Sequence, residues 1–429
     1  MRPARFIVAF LILLAACLAG VVVINLLVDP YSIFGVPRVA GFNAIKTNAS
    51  TRASMVKAYQ IERLGPRSVL FGTSRVDIGF DPNHAAWPAS AQPVYNFGYP
   101  GVSLKKILPQ FRHAAQAGPL KLALVGLEFQ DFLNSKISQP GDISEFERRL
   151  KTGDSSISAN TRSIQKILDR TAATLTLKAT IDSVETVVRQ QQAYPDDVAE
   201  NGLSNENIIG RFARSDGHND LFAQTDLNII KSMDRDAVAL SNTPQSRFPD
   251  IAHVRAIIEF CRQQNVDLYL FIPPYHADYL EIVDAAGLWD RFEGFKLALA
   301  MLVAEYQGSD SHSRIVLWDF AAYDIYSTEV VPPRGDRHTA LQWFWEPAHF
   351  KKALGDMILS RMLGSGQQGF GAKLSPASLP ARLAADRESR SAYRIAHPDE
   401  VKRVAELVRS YRQKRDEQLL KSTAKGHPD

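Results

Sequence analysis

Residues 68–81 read SVLFGTSRVDIGFD, a short apolar run that leads directly into a turn of small residues. The run at residues 69–71 predicts a buried strand, and Gly72, Thr73 and Ser74 predict a sharp turn at its carboxyl end. In open α/β sheets ligands bind at this edge, and small residues let a substrate approach the backbone closely. Ser74 is therefore a candidate nucleophile, with an ordinary β-turn as the alternative interpretation.

A second block with catalytic residue types lies near the other end of the chain. Residues 345–350 read WEPAHF, which places Glu346 three residues before His349. A serine hydroxyl is a weak nucleophile until a neighbouring base accepts its proton, and a carboxylate can hold that base in the correct orientation. The two blocks together predict a triad in which Ser74 attacks, His349 is the general base and Glu346 orients His349.

Apolar runs alternate with amphipathic stretches over much of the chain between these blocks. The runs at residues 120–127, 266–272 and 314–320 predict strands, whereas residues 252–264 and 351–363 predict helices. This alternation predicts an α/β fold in which a parallel sheet carries helices on both faces.

The FGTSR and EPAHF segments resemble the nucleophile block and the closing block of the SGNH/GDSL hydrolase superfamily. More narrowly, the chain is similar to the membrane-anchored, extracytoplasmic SGNH-like proteins of polysaccharide O-acetylation, such as the alginate-acetylation proteins. The resemblance implies a three-layer α/β/α fold and a serine acyltransferase or esterase that acts on O-acetyl groups of an envelope or exported polysaccharide. It also implies a membrane-bound O-acyltransferase as a partner.

The resemblance further implies an oxyanion hole formed by the backbone N–H groups of Ser74 and Gly101. Gly101 lies in the loop after a short strand predicted from Val94, and a glycine there lets a carbonyl oxygen approach backbone donors. An ordinary loop glycine before a helix is the alternative interpretation.

Two positions depart from the family pattern. The strand predicted at residues 120–127 continues into Glu128, where the family carries a Gly-x-Asn-Asp block whose Asn donates to the oxyanion. Glu346 stands where the family usually has aspartate, and Asp336 and Asp319 are alternatives for its role. These departures motivate a second hypothesis, a catalytically inactive protein of the same fold that binds polysaccharide or scaffolds an envelope complex.

Arg75, Tyr275 and His276 stand at predicted strand ends and are candidates for substrate contact, with a plain surface loop as the alternative for His276. The histidines show no i, i+4 pair, and Cys-x-x-Cys, Gly-x-Gly-x-x-Gly and Walker patterns are absent, so we expect neither a metal nor a cofactor. The net charge is only +4, and no basic stripe with interleaved aromatic residues is present. A nucleic-acid partner is therefore not expected.

The N-terminus predicts a single membrane anchor. Residues 6–28 carry no charge and are long enough to cross a bilayer as a helix. Arg2 and Arg5 precede this run and Asp29 follows it. This arrangement favours a cytoplasmic segment at residues 1–5 and a body exported across a bacterial-type inner membrane into the periplasm.

Cys17 gives a competing interpretation of the same segment. It closes the sequence LAAC, which resembles a lipoprotein processing box and would mean cleavage and lipidation at this residue. A lipoprotein usually turns polar after that cysteine, whereas this apolar run continues to Val28. We therefore favour a retained anchor, which leaves Cys261 as the single cysteine of the exported body and excludes a disulfide within that body.

The rest of the chain divides into a small number of predicted parts. They are a juxtamembrane linker and helix at residues 29–64, the α/β domain at 65–363, a helical insertion within that domain at 134–249, and a charged tail with an amphipathic helix at 364–429. The insertion shows apolar residues at helical spacing, and we interpret it as a lid or substrate groove, with a structural cap as the alternative.

Overall fold

The protein is built on one six-stranded sheet. A computed structural model describes residues 3–133, 144–152, 158–192, 195–205, 207–234, 248, 250–308, 313–366 and 368–425. The strands in these residues are β1 (Ser68–Phe71), β2 (Val94–Asn96), β3 (Leu122–Gly126), β4 (Asp267–Ile272), β5 (Ile315–Asp319), β6 (Phe344–Glu346), β7 (His349–Phe350) and β8 (Ala372–Lys373). The order in the sheet is β2-β1-β3-β4-β5-β8, while β6 and β7 form a separate antiparallel pair.

The sheet is parallel except at one edge. β1 pairs in parallel with both β2 and β3, and β3, β4 and β5 continue the parallel pairing. Only β8 runs antiparallel, against β5. The strands are short, apolar and buried on both faces, which is typical of parallel sheets whose two faces are covered by helices. The predicted α/β class with a parallel sheet is confirmed.

Helices cover both faces of the sheet. Those described are α1 (Pro3–Val28), α2 (Ala53–Leu64), α3 (Ser74–Gly79), α4 (Ile107–Ala117), α5 (Glu145–Arg149), α6 (Ala159–Leu175), α7 (Leu177–Val188), α8 (Asn207–Ser215), α9 (His218–Asp234), α10 (Ile251–Gln263), α11 (Ala277–Ala285), α12 (Trp289–Ala304), α13 (Lys352–Leu363), α14 (Leu379–Ala396) and α15 (Pro398–Lys425).

Successive residues of β1 pack into two different apolar cores, one on each face of the sheet. Val69 and Phe71 of β1 belong to a core with α2, α4, α10 and α12, whereas Leu70 belongs to a second core with α3 and α13. Side chains alternate across a strand, so each strand supplies both cores. Leu354 and Ile358 of α13 are fully buried in the second core, as the helical spacing of residues 351–363 predicts.

The described part of the predicted insertion at residues 134–249 is helical and contains α5 to α9. Several stretches of the insertion lie outside the described residues. The function of the insertion as a lid, a substrate groove or a structural cap stays a prediction.

The described residues of the predicted tail at 364–429 pack against the α/β domain. β8 extends the sheet, and α14 and α15 pack onto α11 and α12. Tyr393 and Val404 are buried against the core. The charge that suggested a solvated tail is used in ion pairs with the body, such as that between Arg390 Nη1 and Asp284 Oδ1 at 2.9 Å.

α1 is the helix that carries the predicted anchor. Its mean hydropathy reaches 3.2 over 18 residues, and it is long and apolar enough to cross a membrane. Asp29 closes the helix with a backbone φ of +47° and accepts hydrogen bonds from the N–H groups of Ile33, at 2.9 Å, and Gly35, at 3.0 Å. This carboxylate fixes the turn between the anchor and the body.

Candidate active site

The turn after β1 places Ser74 at the carboxyl edge of the sheet. Gly72 has a φ of +154°, and a Cβ at this residue would lie 2.4 Å from Cγ2 of Val76, so only glycine fits. Thr73 is the N-cap of α3, and its hydroxyl accepts a hydrogen bond from the N–H of Arg75 at 3.4 Å. Ser74 is the first residue of α3, where backbone N–H groups have no partner within the helix.

Ser74, His349 and Glu346 lie together although 275 residues separate the serine from the histidine. The hydroxyl of Ser74 is 2.7 Å from Nε2 of His349. Glu346 contacts Nδ1 of the same ring through Oε1, and its Oε2 accepts a hydrogen bond from the N–H of Ala348 at 2.9 Å. The carboxylate is therefore fixed at both oxygens, and the imidazole is oriented toward the serine.

The environment of Glu346 keeps its carboxylate charged. Burial alone would raise the pKa of Glu346, but the His349 ring, the Ala348 N–H and the Arg75 guanidinium outweigh burial and lower this pKa below its ordinary value. The His349 side chain is 21% exposed, whereas that of Glu346 is 3% exposed. The orienting group is thus buried, and the base remains open to a substrate.

The two alternative carboxylates occupy other places. Asp319 is fully buried and pairs with Nζ of Lys296 at 2.8 Å. Asp336 accepts hydrogen bonds from the N–H groups of His338, at 2.8 Å, and Thr339, at 3.0 Å, within its own exposed loop. Neither is the partner of the His349 imidazole here.

A close contact between two glycines brings the serine and histidine segments together. Gly79 ends α3, and Gly355 lies in the first turns of α13, which follows the strand of His349. A Cβ on Gly355 would lie 1.7 Å from the carbonyl oxygen of Gly79. The absence of a side chain at Gly355 allows α13 to touch the backbone of α3, and a Cβ at Gly79 would lie 2.4 Å from Cε2 of Phe350, the residue after His349. These contacts set the position of His349 relative to Ser74.

Arg75 joins three segments next to Ser74 and His349, and its contact with substrate remains a prediction. Its side chain is buried, its guanidinium pairs with Glu128 at the end of β3, and its Nε–H donates to the carbonyl oxygen of Ala348. The guanidinium carbon also lies 5.4 Å from the centroid of the Tyr275 ring. Its geometry is that of a positioning residue, because it links the serine helix to the loop that carries His349.

Tyr275 and His276 are also buried, and substrate contact by either residue remains a prediction. The Tyr275 hydroxyl accepts a hydrogen bond from the N–H of Phe129 at 3.2 Å. Both ring nitrogens of His276 have partners, the carbonyl oxygen of Glu329 at 2.8 Å and the N–H of Asp278 at 3.2 Å. His276 is the N-cap of α11, so in this structure its side chain caps the N-terminus of that helix.

Glu128 occupies the end of β3, where the resembled family carries its oxyanion Asn. One carboxylate oxygen accepts from the Thr73 hydroxyl, and the other pairs with Arg75. A carboxylate accepts hydrogen bonds and donates none, so Glu128 cannot replace an amide donor. Gly101 lies in an exposed turn after β2 with a φ of +69°. It shares the carboxyl edge with Ser74, and its predicted role as an oxyanion donor remains a prediction.

A buried ion pair connects α3, the helix that begins at Ser74, to α2. Nζ of Lys57, in α2, contacts the carboxylate of Asp77, in α3, and also the carbonyl oxygen of Gly98. Burial raises the pKa of Asp77 and lowers that of Lys57, while each partner opposes the effect on the other. The pair fixes α3 to α2 and to the loop after β2.

A cavity of about 300 Å³ lies behind the loop that carries Glu346 and His349. His276 lines this cavity, and its N–H donates to the carbonyl oxygen of Pro347 at 3.1 Å. Arg403 of α15 and Phe222 of α9 line other walls. Among the described residues, no group of three His, Cys, Asp or Glu side chains is arranged to hold a metal ion.

Sequence reasoning selected the three side chains that the structure brings together, Ser74, His349 and Glu346, and missed the residues that hold them. Thr73 before a short helix is an N-cap signal that was available in the sequence. The pairing of Arg75 with Glu128 had no local signal, because it depends on β1 and β3 being neighbours. No model of a known protein family matches the chain, and no curated protein matches it.

Proposed function

We propose that this protein is a serine acyltransferase or esterase of the SGNH-like kind that acts on O-acetyl groups of an envelope or exported polysaccharide. The observation that carries the proposal is the 2.7 Å contact of the Ser74 hydroxyl with Nε2 of His349, whose Nδ1 contacts Glu346. A serine hydroxyl next to an imidazole that is itself paired with a carboxylate supports acyl transfer through a serine. The choice of polysaccharide rests on the family resemblance.

In the proposed reaction, Oγ of Ser74 attacks the acetyl carbonyl carbon while Nε2 of His349 takes the hydroxyl proton. The tetrahedral oxyanion collapses, the ester C–O bond breaks, and His349 returns the proton to the leaving oxygen, which leaves acetyl-Ser74. A second hydroxyl, from water or a sugar, then gives its proton to His349 and attacks the acetyl carbonyl carbon. This second tetrahedral intermediate collapses, the bond from the acetyl carbon to Oγ of Ser74 breaks, and His349 returns the proton to Oγ. The products are acetic acid or an acetylated sugar, and free Ser74 is restored.

The backbone N–H groups of Ser74 and Gly101 are the proposed donors to the oxyanion. Glu128 replaces the third donor of the resembled family, and loss of one such donor typically costs about 10²- to 10³-fold in kcat. We therefore propose a slow enzyme, or one that reaches full activity with a membrane-bound O-acyltransferase as partner. Such a partner would supply the acetyl group.

We also propose that α1 is a retained single-pass anchor with its N-terminus in the cytoplasm and the body in the periplasm. Asn25 of α1 is fully buried, and its Nδ2 donates to the carbonyl oxygen of Thr174 at 2.9 Å. A helix end built into the fold in this way supports retention over removal. The charges of Arg5 in the first turn of α1 and of Asp29 directly after α1 support the orientation.

The test is hydrolysis of 4-nitrophenyl acetate by the full chain in detergent micelles. We expect Ser74→Ala to lower kcat toward the uncatalysed rate, since removal of a triad serine costs about 10⁶-fold in a well-studied protease. The matched control is Ser365→Ala, which removes an exposed hydroxyl and should leave the rate unchanged. Equal hydrolysis by the wild type and Ser74→Ala would refute the proposed nucleophile.

The second candidate function is a catalytically inactive protein of this fold that binds polysaccharide or scaffolds an envelope complex. The observation that favours it is Glu128, whose carboxylate stands at the end of β3 in place of a donor. Absence of hydrolysis in both proteins of the test, together with retention of the chain on an immobilised acetylated polysaccharide, would support this candidate.

A further inference from the structure

The hairpin formed by α6 and α7 buries polar side chains and exposes apolar ones. Its buried members include Gln165, Asp169, Asp182, Ser183 and Thr186. Eight large apolar side chains of the same hairpin are 46% to 75% exposed, namely Ile164, Ile167, Leu168, Leu175, Leu177, Ile181, Val184 and Val188. A helix packed on a protein in water shows the opposite arrangement. A contiguous exposed apolar face of this extent indicates an interaction surface.

The inward polar face of the hairpin is satisfied by the body of the protein. Asp169 accepts hydrogen bonds from the hydroxyl of Tyr59 and from Nε of Arg149, both at 2.7 Å. Asp182 accepts from Nδ2 of Asn48 at 3.1 Å. These contacts fix which face points inward, so the apolar face is held outward by the fold itself.

The hairpin lies beside the end of α1. Nδ2 of Asn25 donates to Oγ1 of Thr180 at 3.1 Å, and Ser183 donates to Oδ1 of Asn25 at 2.8 Å. Asn25 is three residues before the end of α1 at Val28, which is about 5 Å along the helix axis. If α1 spans a bilayer, this level is the boundary between hydrocarbon and headgroups.

Basic side chains accompany the apolar face. Lys166 and Arg170 of α6 and Arg63 of α2 line a cavity of about 200 Å³, together with Ile33 and Phe34 of the segment that follows α1. Among the described residues of this lining, Glu62 is the one acid, so three cations face one carboxylate. Cations next to an exposed apolar helix face are typical of helices that lie in the interface of a membrane with anionic lipids.

We propose that the apolar face of the α6–α7 hairpin lies in the bilayer that α1 spans, at the headgroup level of the leaflet next to the body. The occupant of this face is lipid, because the face adjoins a membrane-spanning helix and carries cations at its edge. The inference rests on the proposed anchor and not on the proposed chemistry. It gives the body two membrane contacts, a spanning helix and an interfacial hairpin, which together fix its orientation.

The test uses single cysteines in the full chain, reconstituted in vesicles of phosphatidylethanolamine and phosphatidylglycerol at 3:1. Cys17 and Cys261 are first replaced by alanine, and a bimane label is attached at Ile167→Cys on the hairpin. Ile12→Cys on α1 and Ile395→Cys on α14 are the matched controls, since all three isoleucines are more than half exposed. Fluorescence is quenched either by spin-labelled lipid or by aqueous iodide.

We expect the label at residue 167 to behave like that at residue 12, with strong lipid quenching and several-fold weaker iodide quenching than at residue 395. Quenching at 12 and not at 167 would overturn the hairpin inference and leave the anchor intact. Absence of lipid quenching at both 12 and 167 would overturn the anchor as well. Protection of 167 from iodide only when a membrane protein is co-reconstituted would assign the face to a protein partner and overturn the lipid proposal.

Discussion

Arg75 shows how one buried charge can connect the segments that form the candidate active site. It pairs with Glu128 and donates to Ala348, so the strand end of β3, the serine helix and the histidine loop share one guanidinium. Both charged side chains are largely removed from water. Removing one partner of such a pair leaves an uncompensated buried charge, which costs more than the pair itself contributes.

We predict that Arg75→Met lowers the free energy of unfolding by about 3–5 kcal/mol. The double variant Arg75→Met/Glu128→Gln should recover part of this loss, because the unpaired charge is then gone. Arg255→Met is the matched control: it breaks a pair with Glu305 whose side chains are 39% and 50% exposed, and it should cost about 1 kcal/mol or less. Chemical unfolding of the full chain in detergent measures all of these. A double variant no more stable than the single one would contradict the argument.

A second prediction at this scale concerns Glu346. We expect Glu346→Gln to lower kcat by about 10⁴-fold, because an amide no longer favours the required tautomer of His349. The pKa of Glu346 lies below its ordinary value of 4.5, so the wild-type carboxylate is charged from pH 5 upward, and raising the pH to 9 should not restore the variant. Asp336→Asn is the matched control and should retain full activity. A loss with Asp336→Asn would reinstate that residue as the partner.

The same pKa shift has a consequence for stability. A carboxyl group whose folded-state pKa is lowered contributes stability above its unfolded pKa and loses this contribution as the pH falls through the folded value. The stability difference between the wild type and Glu346→Gln should therefore shrink below about pH 4. Unfolding measured at pH 7 and at pH 3.5 gives this difference.

The residues of the site divide into those that sequence could identify and those that it could not. Ser74, Glu346 and His349 stand in short blocks with recognisable residue types and spacing. The support from Arg75 and Glu128 comes from two strand ends more than 50 residues apart, since 53 positions separate the two side chains. Their contact exists only after β1 and β3 have paired, so no local pattern reports it.

At the scale of helices, the contact between α3 and α13 decides whether the site forms. We predict that Gly355→Ala forces α13 away from α3, because its Cβ would lie 1.7 Å from the carbonyl oxygen of Gly79. We expect about 1–3 kcal/mol of destabilisation. We also expect a loss of about 10²-fold in activity, as the histidine is displaced by about 1 Å.

Gly294→Ala in α12 is the matched control for this prediction. It is also a glycine inside a helix, but the nearest atoms to its added Cβ lie 3.8 Å away, on Phe248. This change should leave activity intact and be neutral or slightly stabilising. Similar effects of the two substitutions would show that the contact of α3 with α13 is not limiting.

Where α9, α11 and α15 pack together, two carboxyl groups contact the same arginine side chain. Arg403 of α15 donates to Oδ2 of Asp226 at 3.0 Å and also contacts Asp278. Burial, together with the charge of Asp278, raises the pKa of Asp226 to about 7. Between its ordinary value of 3.8 and this value, the folded chain holds a proton that the unfolded chain has released. Stability from this group is therefore greatest at low pH and is lost as the pH rises to 7.

We predict that Asp226→Asn flattens the pH dependence of unfolding between pH 5 and pH 7.5 and raises stability at the upper end. Asp220→Asn on the same helix is the matched control, because the Asp220 side chain is 44% exposed and should leave the profile unchanged. Thermal unfolding over this pH range provides the measurement. A profile for Asp226→Asn as steep as that of the wild type would show that Asp226 is already ionised in the folded protein.

Periodicity predicted most of the elements, including an amphipathic helix in the C-terminal part of the chain, but it did not predict that this part packs on the α/β domain. The apolar runs that became β3, β4 and β5 are unambiguous because strands buried on both faces contain few polar residues. α14 and α15 are rich in charge, which resembles a solvated tail. Their charges instead meet opposite charges on α11 and α12, and such complementarity between distant helices is not visible along one sequence.

At the scale of the whole molecule, the candidate active site lies apart from the exposed apolar helices that we propose contact the membrane. The carboxyl edge of the sheet carries Ser74 and His349, whereas α1 and the α6–α7 hairpin carry the exposed apolar surface. Lys57 of α2 contacts Asp77 of α3, and Tyr59 of the same α2 contacts Asp169 of the hairpin. α2 thus connects the candidate active site to the α6–α7 hairpin. This connection gives the site a fixed height above the proposed bilayer.

Sequence patterns predicted the helices of the α6–α7 hairpin but not the direction in which their apolar faces point. A period of 3.6 residues shows that a helix has an apolar face, and the usual assumption places that face in the core. In α7 the core instead receives Asp182 and Ser183, because their partners are polar groups of the juxtamembrane segment and α1. The direction of the apolar face depends on these tertiary partners.

The short strand β8 closes the open side of β5. Lys373 lies opposite Trp318, and the N–H of Leu374 donates to the carbonyl oxygen of Leu317 at 2.9 Å. An uncovered strand edge recruits other chains, and proteins commonly block such edges. The C-terminal segment therefore protects the sheet against self-association. A chain shortened after Leu363 would present β5 to its neighbours and would be expected to form aggregates before any loss of the triad could be measured.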